Sequence, residues 1–163
     1  MKVIYVHHAN RQKGNPPSQN DGISEVGLKD LEVTRELLNM GNKQNKISTI
    51  YTSQFFRCTK TAEVINTDIG AKVVVDNRLD EMGSVENETW VDVQARLHEF
   101  LDEIVEKHND DETVVCVTSG INLGAFVAKS LKIKPSRNFP MYGVPSCSLI
   151  MFEYKKGGRW KTL

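Results

Sequence analysis

The sequence lacks an excess of charge of either sign. Lys plus Arg and Asp plus Glu number 21 each among 163 residues, so the formal net charge is zero at pH 7. A protein without a strong positive field has no general attraction for nucleic acid or for anionic membrane surfaces. We therefore expect neither nucleic acid nor a membrane among its partners.

Long apolar runs and paired cysteines are also missing. No stretch approaches the roughly 18–20 apolar residues of a membrane span, and the first residues, MKVIYVHH, include no long apolar region of the secretory type. The three cysteines, Cys58, Cys116 and Cys147, have neither metal-ligand nor redox spacing. These absences predict a cytoplasmic protein without a metal or an organic cofactor.

The sequence does contain a repeated switch between short apolar runs and helical periodicity. Predicted strands cover 3–6, 47–51, 72–75, 113–117 and 148–153, and predicted helices cover 24–40, 54–68, 88–107 and 121–132. The length suits a single domain over residues 1–163. Alternating strands and helices predict an α/β fold, a three-layer α/β/α sandwich with a mostly parallel sheet of five or six strands.

The first predicted helix has an amphipathic pattern. Ser24 is a suitable N-cap for this helix. Its predicted apolar stripe consists of Val26, Leu28, Leu31, Val33, Leu37 and Leu38. The tail from 155 to 163 is polar, and no element is predicted there.

Ligands of parallel sheets bind beyond the carboxyl ends of the strands. His8, Ser53 and Ser119 each stand directly after a predicted strand. A long loop over residues 10–23 follows the first strand, and its Arg11 and Lys13 are predicted to contact the substrate. The sequence therefore predicts a ligand site at this edge of the sheet.

Two of the segments at this edge hold side chains suited to phosphoryl chemistry. The first reads VIYVHHA and ends on His7, His8 and Ala9, and the second reads YTSQFFRCTKTAE and carries Arg57. A neutral imidazole can attack phosphorus and form a phosphohistidine that water later hydrolyses. The planar guanidinium of arginine donates parallel hydrogen bonds to phosphate oxygens. A lone histidine after a strand is nevertheless more often structural, and an arginine early in a helix is often solvated.

Two further segments complete the pattern, RLDEMG around Glu81 and VTSGI around Ser119. Together the four segments resemble the motifs of the histidine phosphatase (phosphoglycerate mutase-like) superfamily. In that family the corresponding motifs are Arg-His-Gly, Y-S-S-P-L-x-R-A-x-Q-T-A-E, L-x-E before a glycine, and V-S-H-G-G. The resemblance extends over roughly residues 3 to 150, including the segment Asn87-Glu88-Thr89 and the downstream Arg96.

The resemblance implies a role for each matching residue. His8 would accept the phosphoryl group, Arg57 would bind it, and Glu81 would be the general acid that protonates the leaving oxygen. The expected phosphate-binding residues are His7, Arg57, Ser119, Gly120 and Arg11. An alternative for Glu81 is a solvated carboxylate in a loop that also holds Asp80, Glu86 and Glu88.

The sequence departs from the family at two of the four pocket positions. His7 stands where the family has arginine, and Ser119 stands where it has a second histidine. Ala9 also replaces the glycine of the first motif. Because neighbouring residues of a strand alternate between its faces, we expect His7 and His8 to point apart and not to share a metal ion.

Two functions remain open. In the first, the protein is a weak or specialised phosphomonoesterase acting on a phosphorylated small molecule or a phosphoprotein, with activity rising as the pH falls toward the pKa of His7. In the second, it is a catalytically impaired relative, a pseudo-phosphatase, that binds a phosphate ligand or a protein. A serine hydrolase built on Ser119 is disfavoured because no G-x-S-x-G sequence surrounds it.

Overall fold

The structure is a computed structural model that describes residues 1–12, 21–130, 144–155 and 159–162. Within these ranges the strands are β1 (Lys2–His7), β2 (Ile47–Thr52), β3 (Lys72–Val75), β4 (Thr113–Thr118), β5 (Leu149–Lys155) and β6 (Arg159–Thr162). The helices are α1 (Glu25–Gln44), α2 (Phe56–Asn66), α3 (Trp90–Lys107) and α4 (Gly120–Ser130), with a short 3-10 helix at Asn77–Leu79.

The six strands form one sheet in the order β3-β2-β4-β1-β5-β6. The first four of these pair in parallel, whereas β5 pairs antiparallel with β1 and β6 antiparallel with β5. The prediction of a mostly parallel α/β sheet is therefore confirmed. β6 was not predicted from the sequence, because a four-residue polar edge strand has no apolar pattern to reveal it.

The sheet is covered on both faces, and strand alternation divides its side chains between two cores. Val3 and Tyr5 of β1 face the core that contains α3 and α4 side chains. Ile4 and Val6, which alternate with them, face the core that contains α1 and α2 side chains. These two cores establish the three predicted layers and explain why β1 reads as a continuous apolar run.

Helix α1 begins as predicted but differs in length and in its buried face. The Ser24 hydroxyl accepts a hydrogen bond from the Gly27 N–H at 3.0 Å, and the helix continues to Gln44, four residues beyond the predicted end. The predicted apolar stripe is only partly correct, since two of its members, Leu31 and Leu38, are buried. The other members are exposed: Val26, Leu28, Val33 and Leu37.

The other predicted helices are confirmed with shifted bounds. Helix α2 starts two residues after the predicted position, and α3 starts at Trp90 behind a capping box formed by Thr89 and Asp92. Helix α4 starts at Gly120, while the predicted helical positions 131 and 132 lie outside the described residues. In the described part of the chain, no helix combines the length and apolarity that crossing a bilayer requires.

Candidate active site

The carboxyl ends of three neighbouring parallel strands define the candidate site. β1, β2 and β4 end side by side, and the residues that directly follow them are His8, Ser53 and Ser119. The His8 N–H donates to the Thr118 carbonyl at 3.0 Å, which extends the β1–β4 pairing past the last residue of β1. The prediction that these three residues share one edge of the sheet is confirmed.

His8 is buried at this edge as a neutral imidazole. Its Nδ1 lies 2.9 Å from the carbonyl oxygen of Ala9, an acceptor, so Nδ1 carries the proton and Nε2 carries the lone pair. Burial lowers the pKa of His8 to about 3, with further lowering by the nearby His7, Arg57 and Arg11. The ring therefore presents an unprotonated Nε2 at neutral pH.

Arg57 connects His8 to Glu81. The guanidinium is buried near the start of α2. Its Nε donates to His8 Nε2 at 3.1 Å, and its Nη2 donates to Glu81 Oε2 at 2.5 Å. The ring of Phe55 lies 4.7 Å from the guanidinium carbon and supports it from one side. The three residues predicted to be catalytic are thus joined in one chain of contacts.

A single hydroxyl fixes Arg57 relative to His8. The Thr61 Oγ1 donates to the carbonyl of Arg57 at 2.7 Å and accepts the N–H of Ala9 at 3.0 Å. Thr61 is fully buried, so both bonds are shielded from water. This residue lies within the matching motif, but its role depends on a contact between segments 52 positions apart.

The backbone before Glu81 is anchored through Asp80. The Asp80 carboxylate accepts hydrogen bonds from the Ser53 hydroxyl at 2.5 Å and from Gln54, through the backbone N–H at 3.1 Å and Nε2 at 2.6 Å. Asp80 is buried. The Glu81 side chain beside it is one-third exposed and faces Arg57.

Asn122 holds the same segment from α4. Its Nδ2 lies 2.9 Å from the carbonyls of Leu79 and Asp80 and 2.8 Å from the Thr118 hydroxyl. Asn122 is fully buried. The sequence analysis did not single out this residue. Its position in the apolar segment INLGAFVA could have indicated a buried amide, and a buried amide needs hydrogen-bond partners.

His7 lies against His8, contrary to the expectation that the two rings point apart. The ring centroids are 4.6 Å apart and the rings are nearly perpendicular. The expectation is wrong because β1 ends at His7, so pleat alternation does not extend to His8. His7 Nδ1 lies 2.8 Å from the Val144 carbonyl and 3.1 Å from the Pro145 carbonyl, so it carries a proton. Burial lowers the pKa of His7, which leaves this ring neutral at neutral pH.

Gly120 lies directly against the His7 ring. A Cβ added at Gly120 would lie 2.9 Å from His7 Cε1. That separation is closer than carbon atoms tolerate without movement, so the first residue of α4 has to be glycine while His7 keeps this position. The structure therefore brings these two predicted phosphate-binding residues together.

Ser119 and Arg11 lie less directly in the site. The Ser119 hydroxyl is buried and lies 3.4 Å from the Asn122 N–H, where it caps α4. Arg11 forms a long ion pair of 3.8 Å with Asp21, and its charge contributes to the lowered pKa of His8. Lys13, the other predicted substrate contact, lies outside the described residues.

Two features outside this edge of the sheet bear on ligand chemistry. Among the residues that the structure describes, no three His, Cys, Asp or Glu side chains are arranged to hold a metal ion. A cavity of about 560 Å³ lies at the opposite end of the sheet, near the amino ends of β2, β3 and β4. Its lining includes Lys46, Ser48, Ala71 and Glu112 and contains none of the residues of the candidate site.

Sequence comparison places the chain in a family. The family model of the histidine phosphatase superfamily (branch 1) matches residues 8–87 and 83–163, which is nearly the whole chain. The protein therefore belongs to the histidine phosphatase superfamily. A comparison with curated proteins gave no match.

Solved structures of similar fold are phosphatases or related proteins. A mycobacterial glucosyl-3-phosphoglycerate phosphatase, solved with VO3, is 22% identical at a TM-score of 0.77, covering 99% of this chain and 96% of that one. YhfR of Bacillus stearothermophilus is 22% identical at a TM-score of 0.75, and the match covers 99% of this chain and 94% of that one. A mutant phosphoserine phosphatase of Entamoeba histolytica was solved with phosphoserine. It is 14% identical at a TM-score of 0.76, and the match covers 99% of this chain and 94% of that one. At these identities the comparison establishes the fold.

Proposed function

We propose that this protein is a phosphomonoesterase of the cytoplasm, a single domain over residues 1–163 that acts through a phosphohistidine on His8. The observation that carries the proposal is the contact chain His8–Arg57–Glu81, with distances of 3.1 Å and 2.5 Å. It joins a nucleophile, a phosphoryl-binding cation and a carboxyl group at the edge where parallel sheets bind ligands. The substrate class is a phosphorylated small molecule or a phosphoprotein.

The proposed reaction has two steps. The lone pair of His8 Nε2 forms a bond to phosphorus, and the bond from phosphorus to the leaving oxygen breaks. That oxygen takes the proton of the Glu81 carboxyl group, which this step requires on Oε1 because Oε2 accepts from Arg57. Water then attacks the phosphohistidine and gives a proton to the Glu81 carboxylate left by the first step. The bond from phosphorus to Nε2 breaks, inorganic phosphate is released, and the imidazole and Glu81 return to their starting states. The Nδ1–H bond to Ala9 keeps His8 in the tautomer that this attack requires.

Arg57 carries most of the charge stabilisation in this proposal. Its guanidinium is buried, whereas His7 is neutral because burial lowers its pKa. Each missing donor at such a site typically costs about 10²–10³ in rate. A pocket with His7 and Ser119 in place of an arginine and a histidine is therefore expected to be slow or specialised for particular substrates.

The second candidate is a pseudo-phosphatase that binds a phosphate ligand or a protein without turnover. The observation that favours it is the Ser119 hydroxyl, which caps α4 and supplies no protonatable group to the pocket. In this case Arg57 and the backbone at the start of α4 would bind the anion, and hydrolysis would be absent.

The two candidates are separated by assaying p-nitrophenyl phosphate between about pH 5 and pH 7.5, beside a His8→Ala control. Turnover that disappears in the control supports the enzyme. Equal background rates in both proteins, together with binding of inorganic phosphate that depends on Arg57, support the binding module.

A gain-of-function variant tests the pocket itself. The double substitution His7→Arg with Ser119→His restores the family residues, and we expect it to raise the rate by orders of magnitude. An unchanged rate in a folded double variant would show that these two side chains do not face the reacting phosphoryl group.

A further inference from the structure

Helix α1 has an exposed apolar face as well as a buried one. Its buried face, made by Gly27, Leu31, Thr34 and Leu38, packs toward the sheet and α2. Four other residues have large exposed fractions: Val26 at 59%, Val33 at 61%, Leu37 at 53% and Met40 at 64%. At 3.6 residues per turn these four lie within about 60° of one another, in a stripe about 21 Å long. We call them the α1 stripe.

The α1 stripe places four exposed apolar side chains on one side of a single helix, with the exposed carboxylate of Asp30 at its edge. Single exposed apolar side chains are normal, but a contiguous patch of a few hundred Å² marks an interaction site. A solvated helix face would instead carry charged residues. The neighbouring flank of the same helix does carry them: Glu25, Lys29, Glu36 and Lys43 are all exposed.

The order of these charges makes the surface complementary to itself. If two copies of α1 pack antiparallel about a two-fold axis close to Val33, Lys29 of each copy lies opposite Glu36 of the other. Glu25 then lies near Lys43 of the second copy, so both pairs are attractive. Sliding one copy by about two helical turns would place Glu36 against Glu36 and remove this match.

We propose that the α1 stripe is the contact surface of a symmetric homodimer in which two α1 helices pack antiparallel. The α1 stripe forms the apolar centre of the contact and the four flanking charges form its polar rim, the usual arrangement of a protein interface. A two-fold contact requires a surface that complements itself, which this charge order provides. A contact limited to one helix pair is small, so the dimer is weak and concentration-dependent.

The charge order gives a direct test by sedimentation velocity over a range of protein concentrations. The unmodified chain should change from monomer to dimer as the concentration rises. Lys29→Glu creates two repulsive contacts by symmetry and should weaken dimerisation by about tenfold. The double variant Lys29→Glu with Glu36→Lys restores both attractive pairs and should return the dissociation constant to near its original value.

The apolar contact is tested by Val33→Glu, which places two carboxylates near the axis and should weaken the dimer by more than about tenfold. Glu63→Lys, an equally exposed change on α2, is the matched control and should leave the dimer unchanged. All these positions are on the surface, so thermal melting of each variant should match that of the unmodified chain.

Crosslinking gives an independent readout. Val33→Cys places two thiols near the proposed axis and should form an intermolecular disulfide on mild oxidation, whereas Glu63→Cys should not. A chain that stays monomeric at all concentrations overturns the proposal and leaves the α1 stripe to a different partner. A dimer that is indifferent to Val33→Glu and Lys29→Glu overturns it as well, because its interface lies elsewhere.

Discussion

Arg57 donates its Nε–H to His8 Nε2 at 3.1 Å, so the nitrogen proposed to attack phosphorus is engaged by the group proposed to bind the phosphoryl oxygens. A phosphoryl group entering the pocket has to take over this hydrogen bond before attack. The Nη2 contact to Glu81 leaves the guanidinium anchored at its other end while Nε changes partner. Binding and activation of the nucleophile are therefore one event in the proposed mechanism.

Arg57→Lys tests this dual contact. A lysine ammonium is a point charge without the planar fork, so it cannot reproduce the fixed donation toward both His8 and Glu81. We expect kcat/KM toward p-nitrophenyl phosphate to fall by about 10²–10³ and the affinity for inorganic phosphate to fall with it. The surface change Arg35→Lys is the control and should have little effect. Full activity in the folded Arg57→Lys protein would contradict the proposed role.

The low pKa of His8 predicts that stability decreases on mild acidification. In the unfolded chain the imidazole binds a proton below about pH 6.5, whereas in the folded protein it does so only near a pKa of about 3. The unfolded state therefore gains protons first, and His8 alone should cost about 2 kcal/mol of unfolding free energy between about pH 7 and pH 5. His7, whose pKa is also lowered, acts in the same direction.

Urea unfolding of the unmodified chain and of His8→Asn at several pH values measures this contribution. The variant should show a shallower dependence of unfolding free energy on pH. Equal slopes would show that His8 is protonated in the folded protein at mildly acidic pH.

The same pKa values predict the pH dependence of catalysis. His8 stays unprotonated down to acidic pH, so kcat/KM should not fall between about pH 7 and pH 5 through loss of the nucleophile. Protonation of His7 adds a cation beside the phosphoryl group, so the rate should rise as the pH falls below 6.5, the ordinary imidazole pKa from which burial lowers His7. His7→Gln should abolish the rise. A rate that drops on mild acidification in both proteins would contradict this assignment.

Two glycines of α4 provide a matched pair of substitutions. Gly120→Ala places a Cβ 2.9 Å from His7 Cε1 and should destabilise the protein by about 1–3 kcal/mol. Gly124→Ala meets no atom within 4 Å and should stabilise the helix by up to about 1 kcal/mol. Chemical denaturation measures both changes. Opposite signs are expected, and a harmless Gly120→Ala would mean that the His7 ring does not occupy this position.

Asn122→Ala tests the anchoring of the segment before Glu81. The substitution leaves the buried carbonyls of Leu79 and Asp80 without their amide donor and should cost about 1–3 kcal/mol. If Glu81 is positioned through this segment, kcat should fall more than the affinity for inorganic phosphate. Asn109→Ala removes an exposed amide contact and should cost less than about 0.5 kcal/mol.

Much of the fold could be predicted from the sequence because β1 and β4 are buried on both faces and read as apolar runs. The buried face of α1 could not be predicted, because helical periodicity shows that Leu31 and Val33 are apolar but not which of them meets the sheet. β6 was missed because its pairing with β5, rather than its own composition, makes it a strand.

The candidate site, like the fold, could be predicted from the sequence only in part. His8 and Arg57 stand in local motifs, so their convergence at the sheet edge could be anticipated. The burial of Asp80 depends on hydrogen-bond donors from another loop. The hydrogen bond from Asn122 to the Asp80 carbonyl depends on a helix about 40 residues away. The contact between His7 and His8 depends on where β1 ends, which sequence patterns place only to within a few residues.

The hydroxyl of Thr61 ties the first turn of α2 to the backbone beside His8, since it bonds Arg57 and Ala9 at once. These two hydrogen bonds couple the position of α2 to that of the backbone next to His8. A displacement of α2 would therefore reach the backbone beside His8 through Thr61 as well as through the Arg57 side chain. The distance between His8 and Arg57 thus depends on the Thr61 hydroxyl, which is buried behind the pocket and out of reach of a substrate.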